Sequence, residues 1–179
     1  MIITCTNKIA PKLRKHTVDI CRYTLEKLLT TRQKRKLNRV SIRVDKSLDA
    51  HGADYGAMAL AYTDPLYEDR GSPTNFVIWV NPYFTKKVLP KKVRTLFVET
   101  IIHETVHVKQ ALIGQMKQVE RRGNMVIKFE KKYYKLDNNN DYWLFPWEVE
   151  ARGYEKGILN LYCIDHNCFR EFPDYTDVM

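Results

Sequence analysis

The sequence predicts an α+β fold, with a small, mostly antiparallel sheet packed on one long helix and a further helix after it. Three observations lead there. Residues 40–44 and 75–80 carry strand patterns, residues 90–114 carry a helical one, and Pro146 stands where a first-turn proline opens another helix. With 179 residues, 44% hydrophobic and 28% charged, the chain is long enough to bury a core and is expected to form one domain over residues 1–179. Such a composition excludes wholesale disorder.

In chain order, Leu13, Val18, Cys21, Leu25, Leu28 and Leu29 recur at helical spacing after Pro11, which predicts a first helix over about residues 11–33, inside a basic N-terminal region 1–36. Val40, Ile42 and Val44 alternate with Ser41 and Arg43, the mark of a half-buried strand. A loop with Gly52 and Gly56 leads to a second strand candidate, residues 57–62, and Pro65, Gly71 and Pro73 bracket a turn-rich stretch. Residues 75–80, Asn-Phe-Val-Ile-Trp-Val, form the strongest strand, ended by Asn81-Pro82. Helix 90–114 follows, then a short strand at 125–129, a loop at 137–141 and a last helix at 146–162.

The net charge of +9 is unevenly placed: residues 1–50 hold 13 Lys and Arg against 4 Asp and Glu, so the rest of the chain is balanced. The densest part is residues 32–39. Its plainer reading is a solvated helix end favoured by the helix dipole, and its sharper one a contact with nucleic acid. Cys5, Cys21, Cys163 and Cys168 are too few for a disulfide scaffold and contain no Cys-x-x-Cys pair, so reduced thiols are expected. The N-terminus lacks a signal pattern and no apolar run approaches a membrane span, so the expectation is a cytoplasmic chain with no membrane partner.

Residues 103–107 read His-Glu-Thr-Val-His. Four residues along a helix advance about 400°, so His103 and His107 project from one face a turn apart, where both imidazoles can bind one metal ion. Glu104 lies beside that face, as a general base acting on a metal-activated water must. Val98, Ile102, Val106 and Ile113 gather on the opposite side and are expected to face the core. Gln110, one turn after His107, falls near the site; a plain surface glutamine is the simpler reading. A catalytic zinc site needs a third protein ligand. None follows within the short His-x-x-Gly-x-x-His spacing of metzincins. The last helix offers Glu148 and Glu150, which stand about 200° apart around a helix, so only one can face the metal and the other is left for solvent or a basic neighbour. Cys163, Asp165, His166 and Cys168 form a second group of possible ligands whose spacing fits no common structural zinc pattern; packing of the C-terminal segment is the simpler reading.

On these residues the chain resembles a gluzincin, the zincin class in which the motif helix gives two histidines and a later helix a glutamate. The third-ligand helix of thermolysin-like families commonly reads Glu-x-x-[Ala/Ser]-[Asp/Asn]; Glu148-Val-Glu-Ala151-Arg152 matches through the alanine and departs at Arg152. The resemblance favours Glu148 over Glu150 as third ligand, and the departure removes the residue that would orient a ligand histidine. His-Glu-x-x-His-x-x-Gln followed by Pro-x-Glu-x-Glu-Ala is also similar to small metallopeptidase-like proteins of phage and bacterial genomes, whose setting would be the cytoplasm, that of the host for a phage protein. What the resemblance implies is one Zn2+ on His103, His107 and Glu148, with Glu104 as base and a peptide or protein as substrate. An edge strand, residues 75–80 or a neighbour, would align that substrate. A donor to the oxyanion would come from among Tyr133, Tyr134, Tyr142, Tyr154 and His166. The alternative is a nucleic-acid-associated zincin, either an SprT-like protease or a non-catalytic binding module, using the basic N-terminal region.

Overall fold

The computed structural model describes residues 1–50, 61–66, 73–86, 89–121, 123–135 and 142–172. A short strand β1 (Ile2–Cys5) leads into helix α1 (Pro11–Leu28), which has proline in its first turn and buries Leu13, Thr17, Ile20, Cys21, Thr24 and Leu25 on one stripe. The single helix expected over residues 11–33 is in fact two. Thr30 adopts an extended backbone, its Oγ1 accepts the Gln33 amide, and Gln33 Oε1 accepts the Thr30 amide at 2.8 Å. This capping box starts α2 (Thr31–Lys36), none of whose residues is buried. The basic run therefore sits on a short, solvated helix with Lys34, Arg35 and Lys36 in its last turn.

Strand β2 (Arg39–Val44) follows, then the short helix α3 (Ser47–Ala50), strand β3 (Ala61–Leu66) and strand β4 (Asn75–Val80). They form a four-stranded sheet in the order β1-β2-β4-β3. β2 runs parallel to both β1 and β4, and only β3 on β4 is antiparallel. The sheet is thus mixed, and the expectation of a mostly antiparallel one is corrected. The cause is β1, whose four residues alternate between exposed and half-buried without a strong apolar signal. Once β1 pairs with β2 across the intervening α1, the helical crossover makes that pair parallel. The strand candidate at 57–62 overlaps β3 only at Ala61 and Tyr62, residues 57–60 lying outside the described residues together with Gly52, Gly56 and Gly71. Pro65, expected in a turn, lies inside β3, as an edge strand allows.

Asn81 caps a 3-10 turn (Pro82–Thr85) by accepting the Tyr83 amide at 2.8 Å. Helix α4 (Lys91–Leu112) then packs on β3 and β4 between α1 and α5. It is less amphipathic than its sequence suggests: Val98, Ile102 and Val106 are buried as expected, but so are Glu104, Thr105, His107 and Gln110. Ile113 is 38% exposed, because the helix has already ended there and Gly114 turns the chain away at φ 72°.

A second sheet, antiparallel in the order β5-β6-β7, follows: β5 (Met116–Arg121), β6 (Asn124–Phe129) and β7 (Lys132–Lys135). Only β6 had a pattern to read, since β5 and β7 are mostly exposed and charged. The loop expected at 137–141 lies outside the described residues. Helix α5 (Pro146–His166) runs a turn beyond its expected end and packs along α4, burying Trp147, Ala151, Ile158, Leu159 and Tyr162. Among the described residues no helix is long and apolar enough to cross a membrane.

Candidate metal centre

Three side chains from two helices converge in a cleft between α4, β3, the second sheet and α5. His103 and His107 of α4 place their Nε2 atoms 3.1 Å apart. Glu148 of α5 brings Oε2 to 3.1 Å from His103 Nε2 and Oε1 to 3.3 Å from His107 Nε2. One ligand atom from each of the three lies within 4.8 Å of the others, so together they can hold a metal ion. Glu150 is turned away: its carboxylate accepts from Lys109 Nζ, from Gln110 Nε2 at 3.1 Å and from Gln115 Nε2 at 2.8 Å.

The remaining ring nitrogens are both engaged, which fixes which nitrogen faces the cluster. His103 Nδ1 donates to Glu155 Oε1 at 2.6 Å, and His107 Nδ1 donates to Gln110 Oε1 at 2.7 Å. With Nδ1 protonated and bonded, each ring turns Nε2 toward the cluster. Gln110 is fully buried and also donates to the Trp147 carbonyl at 3.0 Å, so the surface reading is corrected: it ties the motif helix to the start of α5. The departure at Arg152 is accommodated as well. Its guanidinium lies 4.1 Å from the centre of the Trp143 ring, while Glu155, two helical turns after Glu148 and hence on the same face, orients His103.

The electrostatics suit a cation. Glu148 is buried, yet the two histidines beside it outweigh desolvation and hold its carboxyl far below the usual range. Burial opposes charge on His103, but hydrogen bonds to Glu148 and Glu155 raise it to about 9. His107 is raised in the same way, through Glu148 and the charge of Glu104. An anion is thus stabilised in a place where burial alone would expel it. Among the described residues Glu148 Oε1 is buried without a hydrogen-bond partner, His107 Nε2 at 3.3 Å being an ion-pair contact, and such an acceptor fits a donor set of two imidazoles and one carboxylate that can close around an ion.

Glu104 is 5% exposed and points to the side of the cluster, where Thr63 Oγ1 of β3 donates to its Oε2 at 2.8 Å and to its backbone carbonyl at 2.9 Å. Burial raises its pKa against the pull of the two histidines. The cleft in front measures about 710 Å³. Thr63 and Tyr62 line one wall, Leu96 and Thr100 the floor beside the histidines, and Met116, Ile127, Tyr142 and Trp143 the far side.

Of the five candidate donors to an oxyanion, Tyr142 alone lines this cleft. Burial and the charge of Glu148 push its hydroxyl pKa upward, keeping it protonated. Tyr134 packs edge-on against Trp147 and Phe145, and Tyr133 lies under Arg121. His166 stacks on Tyr162, well outside the site, and Tyr154 is an exposed residue of α5. Asp165 accepts from Tyr23 at 2.7 Å, and Cys163 and Cys168 lie buried with sulfurs 3.6 Å apart, each engaged in packing α5 and its C-terminal turn. Of the two expected candidates for the edge strand, residues 75–80 are corrected, since β4 lies between β2 and β3, while its neighbour β3 is the outer strand beside the cleft.

No protein-family profile, curated protein or solved structure matches the chain.

Proposed function

We propose that this chain is a zinc-dependent peptidase of the gluzincin kind, with His103, His107 and Glu148 as metal ligands and Glu104 as general base. The observation that carries the reading is the convergence of two imidazole Nε2 atoms and a buried carboxylate beside a second, unliganded glutamate in an open cleft. Two imidazoles and a carboxylate, each held by outer hydrogen bonds, are a donor set suited to zinc. When bound there, such an ion supplies Lewis acidity toward a water and a substrate carbonyl.

The chain's own residues do the rest. Glu104 Oε1, the oxygen that Thr63 leaves free, takes the proton of the attacking water and passes it to the departing amine. The Tyr142 hydroxyl stands ready to donate to the developing oxyanion. The outer edge of β3 offers backbone groups with which an extended peptide pairs as an added strand.

Metal analysis and peptide hydrolysis by wild type, Glu104→Gln, Glu148→Ala and Glu150→Ala test the reading together. Glu104→Gln should keep one zinc per chain and lose activity by about 10²- to 10⁴-fold. Glu148→Ala should lose the metal, and Glu150→Ala should retain it with reduced affinity. Full activity of Glu104→Gln, or full zinc retention by Glu148→Ala, would refute the assignment.

A second reading, in which the same site works at nucleic acid, draws on α2. Among the described residues Arg32, Lys34, Arg35 and Lys36 are solvated and pair with no carboxylate. DNA binding that weakens steeply with salt and is lost when these four become glutamine would support it; absence of binding at low salt removes it.

A further inference from the structure

A second cavity of about 160 Å³ lies away from the metal centre, at the opposite end of α4. Among the described residues its charged lining is unbalanced: Lys12, His16, Lys86 and Arg94 surround it with Glu171 as their one carboxylate. Glu171 is already committed, its Oε2 lying 2.8 Å from His16 Nε2 and 3.2 Å from Lys12 Nζ. That leaves two cations over. Among the described residues Lys86 has no acidic partner and rests on the Tyr83 ring, 4.3 Å from its centre. Arg94 is the more telling, because its Nε is buried and has no hydrogen-bond partner among the described residues. A guanidinium N–H taken from water is ordinarily paired.

Backbone polarity points the same way. The first turns of α1 and α4 both line this cavity, through Lys12 and Leu13 on one side and Arg94 on the other. Neither helix has a capping side chain, and neither carries an acidic residue in its first turn, so the positive ends of two long helices remain uncompensated beside the spare cations. A negatively charged group completes such an arrangement, and one with several acceptor oxygens can serve the arginine fork and the lysine together.

We infer that this cavity binds a small tetrahedral oxyanion of the phosphate type, as inorganic phosphate or as the phosphate end of a monoester, with Arg94 and Lys86 as its principal cations. The inference stands apart from the metal centre and does not depend on peptidase activity. Arg94 lies nine residues before His103 on one helix, about 14 Å along its axis, too far for one small anion to touch both.

Isothermal titration and thermal unfolding at pH 7.5, with sodium phosphate or O-phosphoserine against sodium chloride of equal ionic strength, test it. The expected result is a saturable rise in Tm and a measurable Kd with phosphate, weakened at least tenfold in Arg94→Gln and in Lys86→Gln and unchanged in Lys131→Gln, a control at an exposed lysine before β7. Saturation by both probes, or by phosphate alone, assigns a free anion; saturation by phosphoserine alone assigns a phosphorylated molecule. Because Arg94 Nε has no hydrogen-bond partner among the described residues, Arg94→Gln should unfold in chloride near the wild-type temperature. Lys86 is exposed, so its variant carries the test should Arg94→Gln fold poorly. Phosphate effects equal to those of chloride, or identical in wild type and Lys86→Gln, would overturn the site. So would phosphate binding that follows zinc content rather than Arg94.

Discussion

Glu155 has no counterpart in the pattern of the third-ligand helix, and its role is open to a sharp test. It accepts from His103 Nδ1 at 2.6 Å, with side-chain exposures of 12% for the histidine and 25% for the glutamate. The contact is short, charge-assisted and partly shielded from water, conditions in which an outer partner raises the basicity of a ligand histidine and fixes its orientation. Losing such a partner typically lowers metal affinity by 10- to 100-fold, or about 1.4 to 2.7 kcal/mol. Glu155→Gln keeps an acceptor oxygen but removes the charge, so its loss should fall near the lower figure. Glu155→Ala removes both and should approach the upper. Zinc competition against a chromogenic chelator reads the affinity, and urea unfolding of metal-free protein separates it from folding. The unfolding free energy of Glu155→Gln should stay within about 1 kcal/mol of wild type, because the residue is partly solvated. If Glu155→Ala holds zinc as tightly as wild type while remaining folded, the outer carboxylate does not support the site and the reasoning from geometry fails.

Other consequences can be checked as directly. Gln110→Leu strands the His107 N–H and the Trp147 carbonyl in a buried place, and should cost about 2 to 4 kcal/mol of folding stability in urea unfolding; a loss below 1 kcal/mol would mean that these groups find other partners. Thr63→Val removes the donor that lowers the Glu104 pKa, so the acidic limb of the pH–rate profile should move to higher pH; an unmoved limb separates Glu104 from that ionisation. Burial pushes the Cys5 thiol to about 11 and the Cys21 thiol to about 12, so native protein at pH 8 should react slowly with a disulfide reagent, faster as pH rises toward 11, and at all four thiols once denatured. Rapid labelling of Cys21 in native protein would contradict its burial. Thr30→Ala should cost about 1 kcal/mol or less, by loss of the capping box on a helix that buries nothing, measured in the same urea assay.

The elements that could be read in the sequence are those whose signal is local. β4 is rich in aromatic and β-branched residues, and α4 and α5 open after prolines; each appears within two to four residues of its expected ends. The break between α1 and α2 was legible as Thr30-x-x-Gln33, a capping box hidden inside an apolar periodicity that runs on past it. β1, β5 and β7 carry weak patterns because they are short or face solvent, so pairing rather than apolar alternation makes them strands.

The site divides along the same line. The helical spacing of His103, Glu104 and His107 is intrinsic to one segment. Glu155 had a usable signal too, since seven residues from Glu148 return to the same helix face. Thr63 had none: its meeting with Glu104 depends on β3 being the outer strand beside α4, which is a property of topology. Gln110 was visible but its partners lie on α5, so a polar residue near the end of a helix read as surface.

One feature of α5 bears on the order in which the molecule is made. The helix contributes Glu148, the Glu155 carboxylate behind His103, and the Glu150 carboxylate behind Gln110. Gln110 apart, the groups that complete or brace the histidine pair on the α5 side therefore lie at least 41 residues downstream of it, Glu148 following His107 at that distance. While a ribosome is still translating the second sheet, the emerging α4 has both imidazoles but lacks the third donor and the carboxylate that aims His103. The ability to hold an ion in a defined place thus arrives late in synthesis, with the docking of one helix. A nascent chain halted before Pro146 carries the motif without the machinery.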